Sequence, residues 1–203
     1  NFASETSAWK EIITFMHFPY DSKNKVFLQQ DGFLDKELMP ADRIPPDERP
    51  INQNWSWDRI LRSCFIKQAD VLQGLYVFED KFDTATIKRN FDFYEPMTVH
   101  ESSLSACIHS ILASRIGNLA KAYELYLRTA RLDLDDYNHE VAEGLHITSM
   151  AGTWLAIVEG FGGMRIIDSK VLLNPLIPDK WKSYSFHARF RGVLFMVKIT
   201  HKD

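Results

Sequence analysis

The sequence predicts a mainly α-helical protein that ends in a small antiparallel β segment. As far as about residue 163, apolar residues recur at spacings of three and four in successive segments joined by short connections. From residue 165 onward they alternate at period two, with a turn at Arg191 and Gly192. Four or five strands are too few to close a sandwich. The tail is therefore the start of a β domain or a small sheet packed on the helices.

The composition indicates a chain that can bury a sizeable core. Of its 203 residues 45% are hydrophobic and 25% charged, and the net charge is -3. This balance gives no reason to expect nucleic acid or an anionic membrane surface as a partner. No apolar run reaches the length of a membrane span. Cys64 and Cys107 lie in apolar helical contexts, which favours buried reduced thiols in an intracellular protein; a disulfide between them stays open.

The first half of the chain alternates predicted helices with polar segments. It begins at Asn1 without Met and opens into a helical pattern over residues 6–17, so we expect part of a longer protein. Residues 33–54 have weak periodicity, which is typical of a loop that wraps a surface or serves a function. Residues 60–78 are mostly apolar, and residues 84–94 form a further predicted helix.

The second half contains the more regular helical patterns. Residues 103–116 predict an amphipathic helix ended by Gly117, and Asn118 caps the next helix. Residues 145–161 are apolar almost all round, which predicts a helix buried on most sides. A cluster of acidic residues between these helices is predicted to be a solvated turn: Asp133, Asp135 and Asp136.

Two polar stretches lie at the starts of predicted helices, residues 100–103 (His-Glu-Ser-Ser) and 144–149 (Gly-Leu-His-Ile-Thr-Ser). A helix start offers unpaired N–H groups and a positive dipole end, so hydroxyls and an imidazole there favour an anion site, most naturally for phosphate. The alternative is that Thr148 or Ser149 only caps its helix. If the two helices are parallel neighbours in a toroid of helices, both starts face one pocket, which is more specific for phosphate.

Two further stretches combine polar groups with aromatic or apolar neighbours. Residues 52–58 (Asn-Gln-Asn-Trp-Ser-Trp-Asp) place two Trp among amides, which fits either a sugar-facing surface or a Trp pair anchored in the core. Lys67 and Gln68 interrupt an apolar run and require partners or a wet cavity. An ion pair between Lys67 and Asp70 is the structural alternative.

Four of these stretches together resemble glycoside hydrolase family 65, which contains maltose, kojibiose, nigerose and trehalose phosphorylases. They are residues 52–58, 67–72 (Lys-Gln-Ala-Asp-Val-Leu), 100–105 and 144–154, in that order. The resemblance implies that residues 1–163 are the C-terminal part of an (α/α)6-barrel catalytic domain. It implies that residues 164–203 begin a C-terminal β-sandwich domain.

The resemblance implies inverting phosphorolysis of an α-glucosyl disaccharide. Phosphate attacks the anomeric carbon, a general acid protonates the glycosidic oxygen, and β-glucose 1-phosphate leaves. Lys67 and Gln68 are then the glucose ligands. No metal or cofactor is implied beyond inorganic phosphate as co-substrate, and the longer protein is expected to be a cytoplasmic homodimer. The implied phosphate ligands are Ser102, Ser103 and His146, followed by Thr148 and Ser149.

Some family features are missing from these 203 residues. The family's general acid is a Glu in a Gly-Pro-Asp-Glu-like stretch, which we expect upstream of Asn1. Trp57-Asp58 resembles the family's glucose-holding Trp-Asp pair in letters but belongs to a different motif. We therefore expect the chain alone to lack phosphorylase activity. Two alternatives stay open: a hydrolase with Glu101 or Glu143 as base, and a non-catalytic carbohydrate-binding or interaction module. The disaccharide is not determined.

Overall fold

A computed structural model describes residues 2–201; Asn1, Lys202 and Asp203, at the outer ends of the two predicted domains, lie outside the described residues. The described chain is mainly helical and ends in antiparallel strand pairs, which confirms the predicted fold class. Its α-helices are α1 Phe2–Phe15, α2 Ile51–Asn54, α3 Trp57–Arg62, α4 Asp70–Val77, α5 Thr84–Tyr94, α6 Ala106–Arg115, α7 Leu119–Ala130, α8 Leu132–Asp135 and α9 Ile147–Leu155.

The strands form three separate antiparallel pairs, and α9 continues into a π-helical segment, Ala156–Phe161. The predicted domain boundary after residue 163 falls in the short connection between that segment and the third strand. None of the helices described is both long and apolar enough to cross a membrane. The strands are β1 Tyr20–Asp21, β2 Val26–Phe27, β3 Arg165–Ile167, β4 Lys170–Leu172, β5 Ser183–Phe190 and β6 Val193–Thr200.

Helix α6 is the centre of the helical body. Every residue from Ala106 to Ser114 is buried, so the prediction of an amphipathic helix was wrong. The physical reason is that α4, α5, α7, α9 and the π-helical segment all pack around it. The helix also begins three residues later than predicted, because the buried Ser105 is its N-cap residue and bonds the His100 ring instead of a backbone N–H.

Helices α6 and α9 run parallel and in close contact. Ser103 and Thr148 meet at their starts, and Gly152 lies against Cys107 one turn further along. A Cβ atom at Gly152 would lie 2.7 Å from the Cys107 Cβ atom, so a side chain there would hold the helices apart. The two polar helix starts therefore do lie side by side.

Helix α9 is less buried than its composition predicts. Ser149 and Gly152 are its buried residues, whereas Ile147 and Trp154 are at least half exposed. The prediction of burial on most sides holds for the π-helical segment, where Ala156, Val158, Gly160 and Phe161 are buried. It was wrong for α9, because that helix presents one face to α6 and α7 and the others to solvent in this chain. The apolar stripe of α1 is likewise exposed, since that helix has no buried residue.

The remaining segments wrap and extend the helical body. The long loop folds into three 3-10 turns, anchored in the core by Phe33, Ala41 and Ile44. The hairpin of β5 and β6 packs one face on the π-helical segment, where Phe186 joins Val158. Both cysteines are buried and free, as predicted: Cys64 and Cys107.

Candidate functional site

A short parallel backbone pairing brings the first two candidate segments together. The Ile66 N–H donates to the Met97 carbonyl at 3.0 Å, and the Val99 N–H donates to the Ile66 carbonyl at 2.9 Å. Two parallel segments end at the same edge of their pairing. Lys67 follows the first segment at that edge, and His100 follows the second. Both polar segments therefore begin at one edge.

Lys67 and Gln68 are exposed, and neither side chain has a partner in the described chain. The alternative of a structural ion pair between Lys67 and Asp70 is not realised; the Asp70 carboxylate instead accepts from the Gln29 amide at 2.7 Å. Lys67 and Gln68 are thus available to a ligand.

The start of α9 joins the second pair of segments. The Thr148 hydroxyl is hydrogen-bonded to the Ser103 hydroxyl at 2.8 Å. The N-cap residue is His146, and no side chain caps the helix, so the capping role considered for Thr148 or Ser149 is not seen. Within the described residues the N–H groups of Ile147 and Thr148 have no acceptor. Free N–H groups at a helix start are suited to an anion.

The remaining candidate serines differ in how available their hydroxyls are. Ser102, Ser103 and Ser149 lie with Arg128 around a crevice that is too narrow to hold a water molecule. Ser102 and Ser103 are partly exposed, whereas Ser149 is buried and donates its hydroxyl hydrogen to the Thr129 carbonyl at 2.8 Å. Because that hydrogen is taken, Ser149 keeps only acceptor lone pairs and is the poorest donor to an anion among the candidates.

His146 is held from the acidic turn. One Asp133 oxygen lies 2.6 Å from His146 Nδ1, and the other accepts the His146 backbone N–H at 2.9 Å. The prediction that this turn is solvated was wrong for Asp133, and the hydrogen bonds from His146 lower the pKa of its carboxyl group. Asp135 pairs with Arg131 instead, and Asp136 accepts two backbone N–H groups of the following turn.

A buried network supports the loop of residues 100–103, and the sequence analysis missed it. Glu95 accepts from His109 and from His100 Nε2, the latter at 3.2 Å, while His100 Nδ1 meets the Ser105 hydroxyl at 2.9 Å. Arg128 donates to the His100 carbonyl at 2.8 Å. These contacts hold His100 in the left-handed region, with φ of 53°.

The electrostatics of this network are set by burial. Burial lowers the pKa of His100 to about 4, which keeps its ring neutral near pH 7. Burial would also raise the pKa of Glu95, but the hydrogen bonds from His100 and His109 hold it well below its usual range. Glu95, His100 and His109 are the group in the described chain whose atoms are close enough to share a metal ion. Each of the three has a hydrogen bond within the group, and His109 Nε2 is buried without a partner in the described chain.

The carboxylates considered as a hydrolytic base are not both free. Glu101 is 3% exposed, and its oxygens accept from Arg49 at 2.9 Å and from the Ile51 N–H at 2.7 Å. A carboxylate committed in this way cannot also activate a water. Glu143 is exposed in the turn before α9.

The two Trp of residues 52–58 have different surroundings. Trp55 packs on the core edge-on to Phe65 and donates to Glu48 at 2.7 Å. Trp57 is 75% exposed. The structure therefore supports the core alternative for Trp55 and does not bring the two rings together as a sugar-binding pair.

Comparison with known proteins places these residues in a family. The profile of the glycosyl hydrolase family 65 central catalytic domain matches residues 2–155, and that of the family's C-terminal domain matches residues 164–203. The chain belongs to glycoside hydrolase family 65. The resemblance drawn from the sequence motifs is therefore confirmed.

Several curated relatives of this family 65 chain are phosphorylases. It is 55% identical over 198 residues to maltose phosphorylase of Bacillus subtilis strain 168, which covers 98% of this chain and 26% of the relative. It is 43% identical over 199 residues to α,α-trehalose phosphorylase of Thermoanaerobacter brockii, with coverages of 98% and 26%.

A solved structure agrees with the sequence comparisons. It is that of a kojibiose phosphorylase candidate from the human microbiome, with a TM-score of 0.85 and 42% identity over 91% of this chain and 25% of that one. The chain thus spans about a quarter of the length of the relatives it matches.

Proposed function

We propose that this family 65 chain is part of an inverting disaccharide phosphorylase and supplies its phosphate site and part of its glucose site. The observation that carries the proposal is the contact between Ser103 and Thr148 beside the uncapped start of α9, where His146 is held. The phosphorylase names of the relatives support it.

In this proposal phosphate lies at the start of α9. The free N–H groups of Ile147 and Thr148 donate to its oxygens, together with the hydroxyls of Ser102 and Ser103 and the ring of His146. Ser149 contributes by fixing α9 to the Thr129 carbonyl. Inorganic phosphate is the co-substrate, and we propose no metal or organic cofactor.

The glucose unit lies at the edge from which Lys67 and Gln68 emerge. Their side chains donate to its hydroxyls and hold the anomeric carbon in reach of the phosphate. Phosphate then forms a bond to that carbon on the face opposite the leaving sugar, while a general acid protonates the glycosidic oxygen. The product is β-glucose 1-phosphate. We infer that the general acid comes from chain outside these 203 residues, in a longer protein that is a cytoplasmic homodimer.

The experiment that tests the proposal uses the longer protein with inorganic phosphate and a series of α-glucosyl disaccharides that includes maltose. We expect His146→Ala to raise the phosphate KM at least about tenfold, because a charge-assisted hydrogen bond is worth roughly 1.5–3 kcal/mol. The disaccharide KM should change far less. His139→Ala is the matched control, since His139 is an exposed histidine of the same loop region.

Phosphate dependence that is unchanged in His146→Ala would contradict the assignment of His146. Sugar release that proceeds equally without phosphate would indicate the family hydrolase instead. The bonds that hold Glu101 disfavour that alternative. Disaccharide binding without turnover of any kind would indicate a non-catalytic module.

A further inference from the structure

The His146 ring lies between two carboxylates, one at each nitrogen. Asp133 contacts the residue twice, at Nδ1 and at the backbone N–H. Glu140 has an oxygen 3.6 Å from Nε2. No other side-chain partner of Glu140 is found in the described chain. The two carboxylates therefore differ: Asp133 is committed to His146, and Glu140 only faces it.

The double contact of Asp133 fixes both the ring and the start of α9. A carboxylate at Nδ1 holds a proton on that nitrogen and aims the opposite nitrogen, Nε2, away from itself. Nε2 is then the ring nitrogen left to form a hydrogen bond with a phosphate oxygen or hydroxyl. The position at Nε2 is the one that Glu140 faces.

We propose that Asp133 is the positioning residue of the phosphate site and that phosphate displaces Glu140 from His146 Nε2. The inference rests on the proposed function and adds two residues to it. A carboxylate and a phosphate cannot both lie against Nε2 without repulsion between their charges. Asp133 therefore strengthens phosphate binding, whereas Glu140 competes with it.

The kinetic test compares three variants of the longer protein. Asp133→Asn leaves one acceptor oxygen where two are needed, so it should raise the phosphate KM about tenfold, the effect of losing one hydrogen bond to a charged group. Its disaccharide KM should stay within about twofold, since no glucose ligand has changed. Glu140→Gln should lower the phosphate KM, because the competing charge is gone. The matched control is Asp135→Asn, in the same turn but paired with Arg131, and its phosphate KM should not change.

An unchanged phosphate KM in Asp133→Asn, or equal increases in Asp133→Asn and Glu140→Gln, would overturn the inference. Nitrogen NMR of histidine-labelled unaltered protein gives a second readout that does not need the variants to fold. Inorganic phosphate should shift the Nε2 resonance of His146 more than the Nδ1 resonance, and the reverse order would overturn the assignment. A protein that forms no glucose 1-phosphate refutes the proposed function. The order of the two NMR shifts is independent of turnover and still tests whether Asp133 leaves Nε2 as the nitrogen that meets phosphate.

Discussion

At the scale of single residues, the polar side chains of this chain are held by partners that are distant in sequence or inconspicuous in it. His146 depends on Asp133, thirteen positions earlier, and Glu101 is neutralised by Arg49. His100, which the sequence places in a polar loop, is buried against Glu95. The atoms available to a ligand are those that these pairs leave without a hydrogen bond.

The burial of His100 predicts a loss of stability in mild acid. Its folded pKa of about 4 is below the ordinary value of 6.5, so the unfolded chain binds a proton first as the pH falls. This contribution is complete above about pH 6.5 and is lost as the pH approaches 4. The depressed pKa of Glu95 acts in the same direction at lower pH. The free energy of unfolding should fall by up to about 1.4 kcal/mol per pH unit in this window.

Urea unfolding at pH 7.5, 6 and 5 checks this prediction. His100→Asn should lower stability at pH 7.5 but flatten its dependence on pH, because the titrating group is gone. His139→Asn, at an exposed histidine, should keep the slope of the unaltered protein. Equal slopes in His100→Asn and the unaltered protein would contradict it.

At the scale of elements, the contact between α6 and α9 determines where the candidate site lies. The helices meet at Gly152, and the missing side chain lets Ser103 reach Thr148 at their starts. Packing this close needs a residue without a Cβ atom on one side. The sequence contains that glycine but does not show that it faces Cys107.

Gly152→Ala should destabilise the protein by roughly 1–3 kcal/mol, the usual effect of overpacking a buried contact. Its Cβ atom would lie 2.7 Å from the Cys107 Cβ atom and 2.9 Å from the Cys107 sulfur, in the buried part of α6. Gly74→Ala in α4 is the control, because nothing lies within 4 Å of the added carbon. That variant should gain up to about 1 kcal/mol from helix propensity. Urea unfolding measures the free energy of unfolding of both variants. Equal values for Gly152→Ala and Gly74→Ala would contradict the close packing of α9 on α6.

The sequence predicts some elements better than others for physical reasons. Helix α5 matches the prediction at both ends. Helix α7 begins where Asn118 was expected to cap it, and the Asn118 side chain accepts the Lys121 backbone N–H at 3.2 Å. These ends depend on local hydrogen bonds. The burial of α6 and α9 was mispredicted because it depends on which other helices surround them, and periodicity within one helix does not contain that information.

The candidate site was likewise predictable only where the signal lies within a short stretch of sequence. Most ligands implied by the family motifs, such as Lys67 and His146, belong to short stretches that can be recognised in the sequence; Ser149 is one of them but is buried. The supporting residues Asp133 and Glu95 were missed, since an acidic side chain in a turn has the same letters whether it is solvated or paired. Only the fold brings them to their histidines.

At the scale of the whole molecule, the described chain has a well-packed centre and exposes apolar residues on several surfaces, of which two lie on helices. One is the stripe on α1, with Trp9 and Ile13, and the other is the outer side of α9, with Ile147 and Trp154. Exposed apolar surface of this kind marks an interaction site. In the proposed function these are the sides on which the rest of the catalytic domain would pack.

The chain alone should not catalyse phosphorolysis. It holds the proposed phosphate and glucose ligands, but the stretch most like Gly-Pro-Asp-Glu, residues 45–48, has Pro in place of Gly, and Glu48 is bonded to Trp55 and Arg59. Purified chain, with its fold checked by circular dichroism, should release no glucose 1-phosphate from maltose and phosphate above the buffer blank, while the longer protein does. Measurable release by the 203 residues would refute the inferred division of roles.

The parallel pairing of Ile66 with residues 97–99 has a consequence for how such an enzyme could diversify. Neighbouring strands keep a spacing of about 4.8 Å, so the backbone itself sets the separation between the starts of the two segments proposed to bind sugar and phosphate. This backbone spacing does not depend on the sugar that leaves the disaccharide, which is the acceptor in the reverse reaction. Mutations elsewhere could therefore exchange the acceptor and leave the reacting carbon and its nucleophile in register, which is consistent with relatives named for maltose and for trehalose.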